Sequence, residues 1–187
     1  WVDGGLKFDG VDDYVDCGSI LNEDYEGFTV ETTIIFSEKS LGPGNMGYIV
    51  HKNINYTEGN APFVLMTSGS NIVWQVNSSS NGYLRIYVGG YMDGKPHLVH
   101  GIYSNNKIMI YVDGALEGKR TIKPFENNNG KIGIGSSCYS GSYDRPFKGE
   151  IHSIRLYNRA LTDEEILQNY QAGQCSPLLA MRGDVIG

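Results

Sequence analysis

The sequence predicts an all-β chain folded as an antiparallel two-sheet sandwich, with one short helix near its C-terminal end. Short β-like runs separated by turn clusters fill the stretch from Leu6 to Tyr157. Twenty-five Gly, with many Asn and Ser, supply the positive-φ positions that numerous tight turns need. Helical periodicity with proper end signals occurs once, after Thr162. Two β-sheets closing on one core fit that inventory.

Taken in order, Leu6 to Gly18 reads as two short strands around an acidic turn. Phe28 to Phe36 alternates, with Phe28, Val30, Thr32 and Ile34 on one face. Tyr48 to His51, Phe63 to Thr67 and Asn71 to Asn77 follow, the last two joined at Ser68-Gly69-Ser70 by a hairpin turn. Trp74 is in phase with Ile72 and Val76, which places it in the core. Tyr83 to Val88 is the cleanest alternation. His97 to Tyr103 and Lys107 to Asp113 flank Asn105-Asn106, a second hairpin signal, and Lys131 to Gly135 and Glu150 to Tyr157 complete the strands. The helix starts on a capping box, Thr162 with Glu165 three residues on. Acidic residues crowd its first turn, where the helix dipole favours them. Leu161 acts as staple, Ile166, Leu167 and Tyr170 form the apolar stripe, and Gly173 is the expected stop. Residues 1–173 therefore form one domain, and 174–187 a tail or linker.

At 187 residues one sandwich domain can bury a sizeable core without staples. A net charge of −6 and the lack of a basic stripe exclude a nucleic-acid backbone as main partner. No apolar run is long enough to span a bilayer. A first residue Trp1 rather than Met reads as a piece of a larger, multidomain protein. Cys17, Cys138 and Cys175 are an odd count, compatible with one disulfide and a free thiol or with three thiols; spacing does not choose among the pairings.

Motifs for catalysis are missing. There is no Gly-x-Ser-x-Gly elbow and no His-Glu-x-x-His, and His51, His97, His100 and His152 read as isolated strand histidines. His97 and His100 point to opposite faces of one strand. The acidic turn is the metal candidate: Asp9, Asp12 and Asp13 offer oxygens to a hard cation such as Ca²⁺, with Gly149 backbone or Glu150 completing the shell. The competing reading is that these aspartates cap turns through their own backbone. For ligand recognition, alternation leaves Tyr83, Arg85 and Tyr87 on the face opposite Leu84, Ile86 and Val88, and turns Tyr111 outward between Ile110 and Val112. Aromatic faces flanked by a planar cation suit a sugar or peptide; ordinary cross-strand pairing explains the same residues without a ligand. Arg182-Gly183-Asp184 is a tripeptide that chance supplies often.

Several motifs in order resemble the laminin G-like, concanavalin A-like jelly roll of bacteria and phages. They are Phe8-Asp9-Gly10, Phe28-Thr29-Val30-Glu31, Tyr111-Val112-Asp113-Gly114, Ile132-Gly133-Ile134-Gly135, Phe147-x-Gly149-x-Ile151 and Tyr157-Asn158-Arg159-Ala160-Leu161-Thr162. Thr33 and the stretch Pro96-His97-Leu98-Val99 depart from it, each lacking a Trp that relatives carry. The resemblance implies a jelly roll serving as a non-catalytic recognition module for a carbohydrate or a surface protein. It further implies an extracellular, cell-surface or virion-surface setting, often with Ca²⁺. A ligand-free structural spacer is the alternative. A glycoside hydrolase of the same fold fits less well, because such enzymes carry Glu-Ile-Asp-x-x-Glu where this chain has Glu150-Ile151-His152-Ser153-Ile154-Arg155. Retention of configuration needs paired carboxyls about 5 Å apart.

Overall fold

The computed structural model describes residues 4–53, 61–78, 82–137 and 145–180, with the side chains of the final helix described as far as Gly173. Twelve strands pair antiparallel into two six-stranded sheets. The first sheet orders β1 (Leu6–Asp9), β12 (Lys148–Tyr157), β3 (Gly27–Ile35), β8 (His97–Ser104), β9 (Lys107–Val112) and β10 (Ala115–Thr121). The second orders β2 (Val15–Asp16), β11 (Lys131–Ile134), β4 (Met46–Asn53), β5 (Phe63–Ser68), β6 (Asn71–Ser78) and β7 (Gly82–Val88). The chain's first and last strands sit side by side, Phe8 opposite Gly149, which closes the sandwich with its own ends.

Strand alternation places the core as expected. Phe28, Val30 and Ile34 face Phe63, Leu65, Ile72, Trp74 and Val76 across the sheets, all buried. Trp74 is fully buried, and its indole N–H donates to the Ile102 carbonyl of the opposite sheet at 3.1 Å. Its ring lies flat on β8 because residue 101 is Gly: a Cβ there would sit 2.6 Å from the indole. Asn105 and Asn106 both adopt positive φ and turn β8 into β9, as the sequence signal implied.

One strand escaped the sequence reading. β10 has no buried residue, so no apolar alternation marks it, yet Asp113 (φ 52°) and Gly114 (φ 82°) form the two-residue turn that starts it. Asp-Gly is among the strongest hairpin signals, and it was legible in the sequence.

The helix α1 (Asp163–Ala180) lies on the outer face of the first sheet and runs past Gly173, seven residues beyond the expected stop. A Cβ at Gly173 would meet nothing, so the position is a tolerated interior glycine rather than a cap. The capping box is present in both directions: Glu165 N–H donates to Thr162 Oγ1 (3.3 Å), and Thr162 N–H to Glu165 (2.9 Å). Leu161 and Ile166 pack on Ile102 and Tyr111, whereas Leu167 stays 45 % exposed. Beneath the helix, fully buried Glu31 accepts hydrogen bonds from Arg155, from Tyr157 Oη (3.3 Å) and from Asn169 Nδ2 (2.7 Å), with His100 Nε2 at 3.1 Å. Burial would raise the Glu31 pKa; the His100 and Arg155 contacts outweigh it and hold the carboxylate at about 2.

On the other sheet, Lys52 is fully buried among oxygens: Ile20 O at 2.5 Å, Asn22 Oδ1 at 2.8 Å and Gly130 O at 3.1 Å. Desolvation pushes its pKa down to about 8. Of the cysteines, Cys17 carries a free, half-buried thiol; Cys138 and the Cys175 side chain, like Arg182-Gly183-Asp184, lie outside the described residues. Among the described residues no helix is long and apolar enough to cross a membrane.

Two stability outcomes follow. Gly101→Ala drives a methyl group into the Trp74 ring, and such overpacking costs about 1–3 kcal/mol; the unfolding free energy from denaturant titration should fall by that amount, and an unchanged value would show that β8 and Trp74 can separate freely. Because the Glu31 pKa is depressed, its stabilisation is present above the ordinary 4.5 and is lost as pH falls through about 2. Glu31→Gln should therefore be less stable at pH 7, by up to about 3 kcal/mol. The gap to the parent chain should narrow in melts between pH 4.5 and 2; a constant gap would deny the coupling.

Candidate functional site

β7 is the last strand of the second sheet, paired on one side with β6. Ile86 and Val88 turn into the core with half-buried Leu84, and the opposite face presents Tyr83 (41 % exposed), Arg85 and Tyr87 (53 % exposed). Arg85 organises this row. Its guanidinium carbon lies 4.4 Å from the Tyr83 ring centroid, Nε donates to Gln75 Oε1 at 2.7 Å, and Nη1 to Tyr87 Oη at 3.4 Å. The two tyrosines are therefore held, about 13 Å apart along the strand, by one planar cation between them. Gln75, on β6 opposite Arg85, is 1 % exposed, and its Nε2 has no hydrogen-bond partner.

The edge of the first sheet, β10, lies against β7 and completes the seam. A register shift between Leu116 and Gly118 bends β10, and a Cβ at Gly118 would come within 2.5 Å of Ile86, so only glycine lets the edges close. Arg120 reaches across, donating Nη1 to the Arg85 carbonyl at 2.9 Å. Beyond that contact the seam opens into a groove of about 340 Å³ lined by Ser78, Gly82, Tyr83 and Leu84 from one sheet and by Thr121, Ile122 and Lys123 from the other side. Tyr83 thus serves both the groove and the aromatic row.

Tyr111 does not join them. It sits on the outer face of the other sheet, as alternation required, but the helix covers it: it is 5 % exposed and its hydroxyl donates to Asp163 at 2.7 Å. Burial first, then that bond, raises its pKa beyond the ordinary tyrosine range. Coverage by a distant helix is a tertiary event that strand phase cannot reveal.

At the opposite end of the sandwich, Asp9, Asp12 and Asp13 bring one carboxylate oxygen each to within 4.8 Å of one another, all three exposed. Asp9 and Asp13 also cap the turn: Val11 N–H donates to Asp9 Oδ1 at 2.7 Å, and Asp9 N–H to Asp13 Oδ2 at 2.9 Å. Glu150 is not part of this group. It lines a neighbouring cavity of about 290 Å³ with Asp9 and Lys148, but its carboxylate is 3.1 Å from His152 Nε2, its own second neighbour on β12. The stretch that loosely echoed a glucanase motif is a strand ladder, with Ile151 and Ile154 packed in the core.

The histidines are less isolated than their spacing suggested. His97 lies between Asp113 (2.7 Å) and Asp93 (3.0 Å). Burial lowers its pKa, yet the two carboxylates outweigh that and leave it raised. His100 serves Glu31. His51, buried and stacked on Tyr48, is pushed down to about 4 by desolvation and stays neutral. Of these partners only Glu31 is remote in sequence from its histidine, 69 residues away.

No curated protein matches the chain in sequence. Among solved structures it is similar to the receptor-binding domain of botulinum neurotoxin mosaic serotype C/D (17 % identity, TM-score 0.68, 90 % of this chain and 42 % of that one). It is also similar to the CBM40 of Ruminococcus gnavus IT-sialidase bound to α2,3-sialyllactose (12 %, 0.65, 89 % and 96 %) and to domains LG4-5 of the mouse laminin α1 chain (16 %, 0.64, 88 % and 44 %). The chain thus spans less than half of the neurotoxin and laminin chains it matches. At these identities the likeness is one of fold. The model of the concanavalin A-like lectin/glucanases superfamily matches residues 9–167, and with the two-sheet architecture around those residues the chain belongs to that superfamily as a laminin G-like domain.

Proposed function

We propose that this domain is a non-catalytic recognition module that binds glycan at the β7–β10 edge, as one part of a larger extracellular, cell-surface or virion-surface protein. The observation that carries the reading is the Tyr83–Arg85–Tyr87 row: two exposed rings fixed by one guanidinium beside a groove. Flat aromatic faces take the C–H faces of sugar rings, and fixing them beforehand lowers the entropy lost on binding. Solved relatives of the fold are named as binding domains, one with a sialylated sugar bound, which supports the class without supplying the ligand. Glu150, the acid that stands where a glucanase carries its motif, is occupied by His152. Screening on a glycan array, followed by Tyr83→Ala, tests this. Binding should fall about two- to tenfold with an unchanged melting temperature, taking an aromatic contact as worth about 0.5–1.5 kcal/mol. A variant that binds as the parent chain does would place the site elsewhere.

We further propose that the acidic turn holds Ca²⁺. The donor set fits: three carboxylate oxygens within 4.8 Å of one another can share one ion, with water and main-chain carbonyls completing a shell of about six to eight oxygens. The ion would neutralise clustered charge beside the strand pair that closes the sandwich. At a hundredfold excess over Kd it would add about 2.7 kcal/mol. Chelator should lower the melting temperature and Asp12→Ala should abolish that sensitivity; superimposable melts in chelator and in millimolar Ca²⁺ would leave the aspartates as turn caps alone.

A further inference from the structure

His97 opens β8, and a carboxylate meets each nitrogen of its ring. Asp113 Oδ2, from the β9–β10 turn, lies 2.7 Å from Nδ1. Asp93 Oδ1, from the loop of residues 89–96 between β7 and β8, lies 3.0 Å from Nε2. The imidazole is nearly closed off from water, its side chain 10 % exposed. A neutral imidazole carries one N–H and one lone pair, so it donates to one carboxylate only. Both contacts are hydrogen bonds in the imidazolium alone. In the neutral ring, one of them sets a nitrogen lone pair against a carboxylate oxygen.

The two carboxylates are not held alike. Asp113 is fixed by β8 itself: its N–H donates to the Leu98 carbonyl, and its Oδ1 accepts the Leu98 N–H, each at 2.9 Å. Asp93 stands on an exposed loop, and its other described partner is Lys95, two residues on, through the N–H at 2.9 Å and the ammonium at 3.7 Å. Further ties of the loop are Gly94 N–H to the Phe36 carbonyl at 3.2 Å and the Tyr91 hydroxyl to Glu117 at 2.7 Å. The Tyr91 ring stands edge-on to His97, centroids 4.9 Å apart. Tyr91 is neutral, its pKa pushed up to about 12 by burial and by Glu117. Ile34, opposite His97 on β3, brings no charge. The charges around the ring are thus Asp93, Lys95, Asp113 and, behind Tyr91, Glu117.

We propose that His97 is a pH-dependent clasp, closed as the imidazolium, where it straps the loop of residues 89–96 onto the β9–β10 turn, and opened by loss of one proton. The remaining proton stays on Nδ1, toward the shorter and better fixed Asp113 contact. Nε2 then repels Asp93, and the loop yields at that point. Burial lowers the His97 pKa, but the hydrogen bonds to Asp113 and Asp93 outweigh it and leave it above the ordinary 6.5. With a raised pKa, the stabilisation of the closed loop is fully present below 6.5 and is lost as pH rises through the folded-state pKa. The loop leads straight out of β7 after Val88, so the clasp also steadies the end of the strand that carries Tyr83, Arg85 and Tyr87.

Imidazole NMR titration of the whole chain from about pH 5 to about pH 9, with amide-exchange protection of residues 89–95 over the same range, tests the clasp. His97 should titrate above 6.5, and loop protection, corrected for the intrinsic exchange rate, should fall with the same midpoint. Asp93→Asn should lower the His97 pKa and flatten the fall. Because the coupling is reciprocal, each unit of pKa lost in that variant should make the parent's fall in protection about tenfold larger than the variant's. His97→Asn should hold the loop at its alkaline level of protection at every pH. A loop equally protected on both sides of the His97 midpoint, or a His97 that titrates at or below 6.5, would overturn the proposal. Both of those outcomes are read in the parent chain, so they decide the matter even where His97→Asn fails to fold.

Discussion

Everything in this domain depends on two twisted sheets finding one way to lie against each other, and Trp74 on Gly101 is where that is fixed. The largest side chain of the core comes from β6, and the only residue without a side chain on β8 receives it. The Trp74 N–H then satisfies itself on a backbone carbonyl of the opposite sheet, so that a buried donor becomes a tie between layers. Phe28, Phe63, Tyr103 and Phe125 pack around this point with ring centroids 5–6 Å apart. Shifting any strand by one residue would turn these rings outward, which is why register is so tightly specified here.

With the inner faces committed, the outer faces are settled by buried charge. Glu31 would be costly alone; four groups from β8, β12 and α1 make its burial tolerable, and in doing so they fix where the helix rests. Lys52 does the equivalent on the other sheet, holding the segment around Ile20 and Asn22 to the turn at Gly130 through oxygens and without a carboxylate. A single charge with several neutral partners specifies position more sharply than an apolar contact, because each bond constrains direction as well as distance.

What remains uncovered is the seam between β7 and β10, and that is where exposed Tyr83 and Tyr87 gather with Arg85, Lys119, Arg120 and Lys123. Unpaired strand edges invite aggregation, and this chain protects them with charge and with the bulge at Leu116–Gly118. The same devices that discourage a further strand leave rings, cations and a groove open to a smaller, polar ligand. Protection of an edge and recognition at that edge are here one arrangement of residues.

The sequence by itself determined the fold class, the face each strand turns inward, the two-residue hairpin at Asn105-Asn106 and the capping box of the helix, because these depend on periods of two or on contacts within four residues. It also set the outward row of Tyr83, Arg85 and Tyr87. It did not reveal β10, whose polar surface carries no period, although Asp113-Gly114 announced its turn. Only the tertiary structure decided that Tyr111 is covered and that Glu31 and Lys52 find partners far along the chain. Each of those outcomes depends on which remote segment arrives, and the distance in space between residues a hundred positions apart is set by the packing of the sheets and by nothing local.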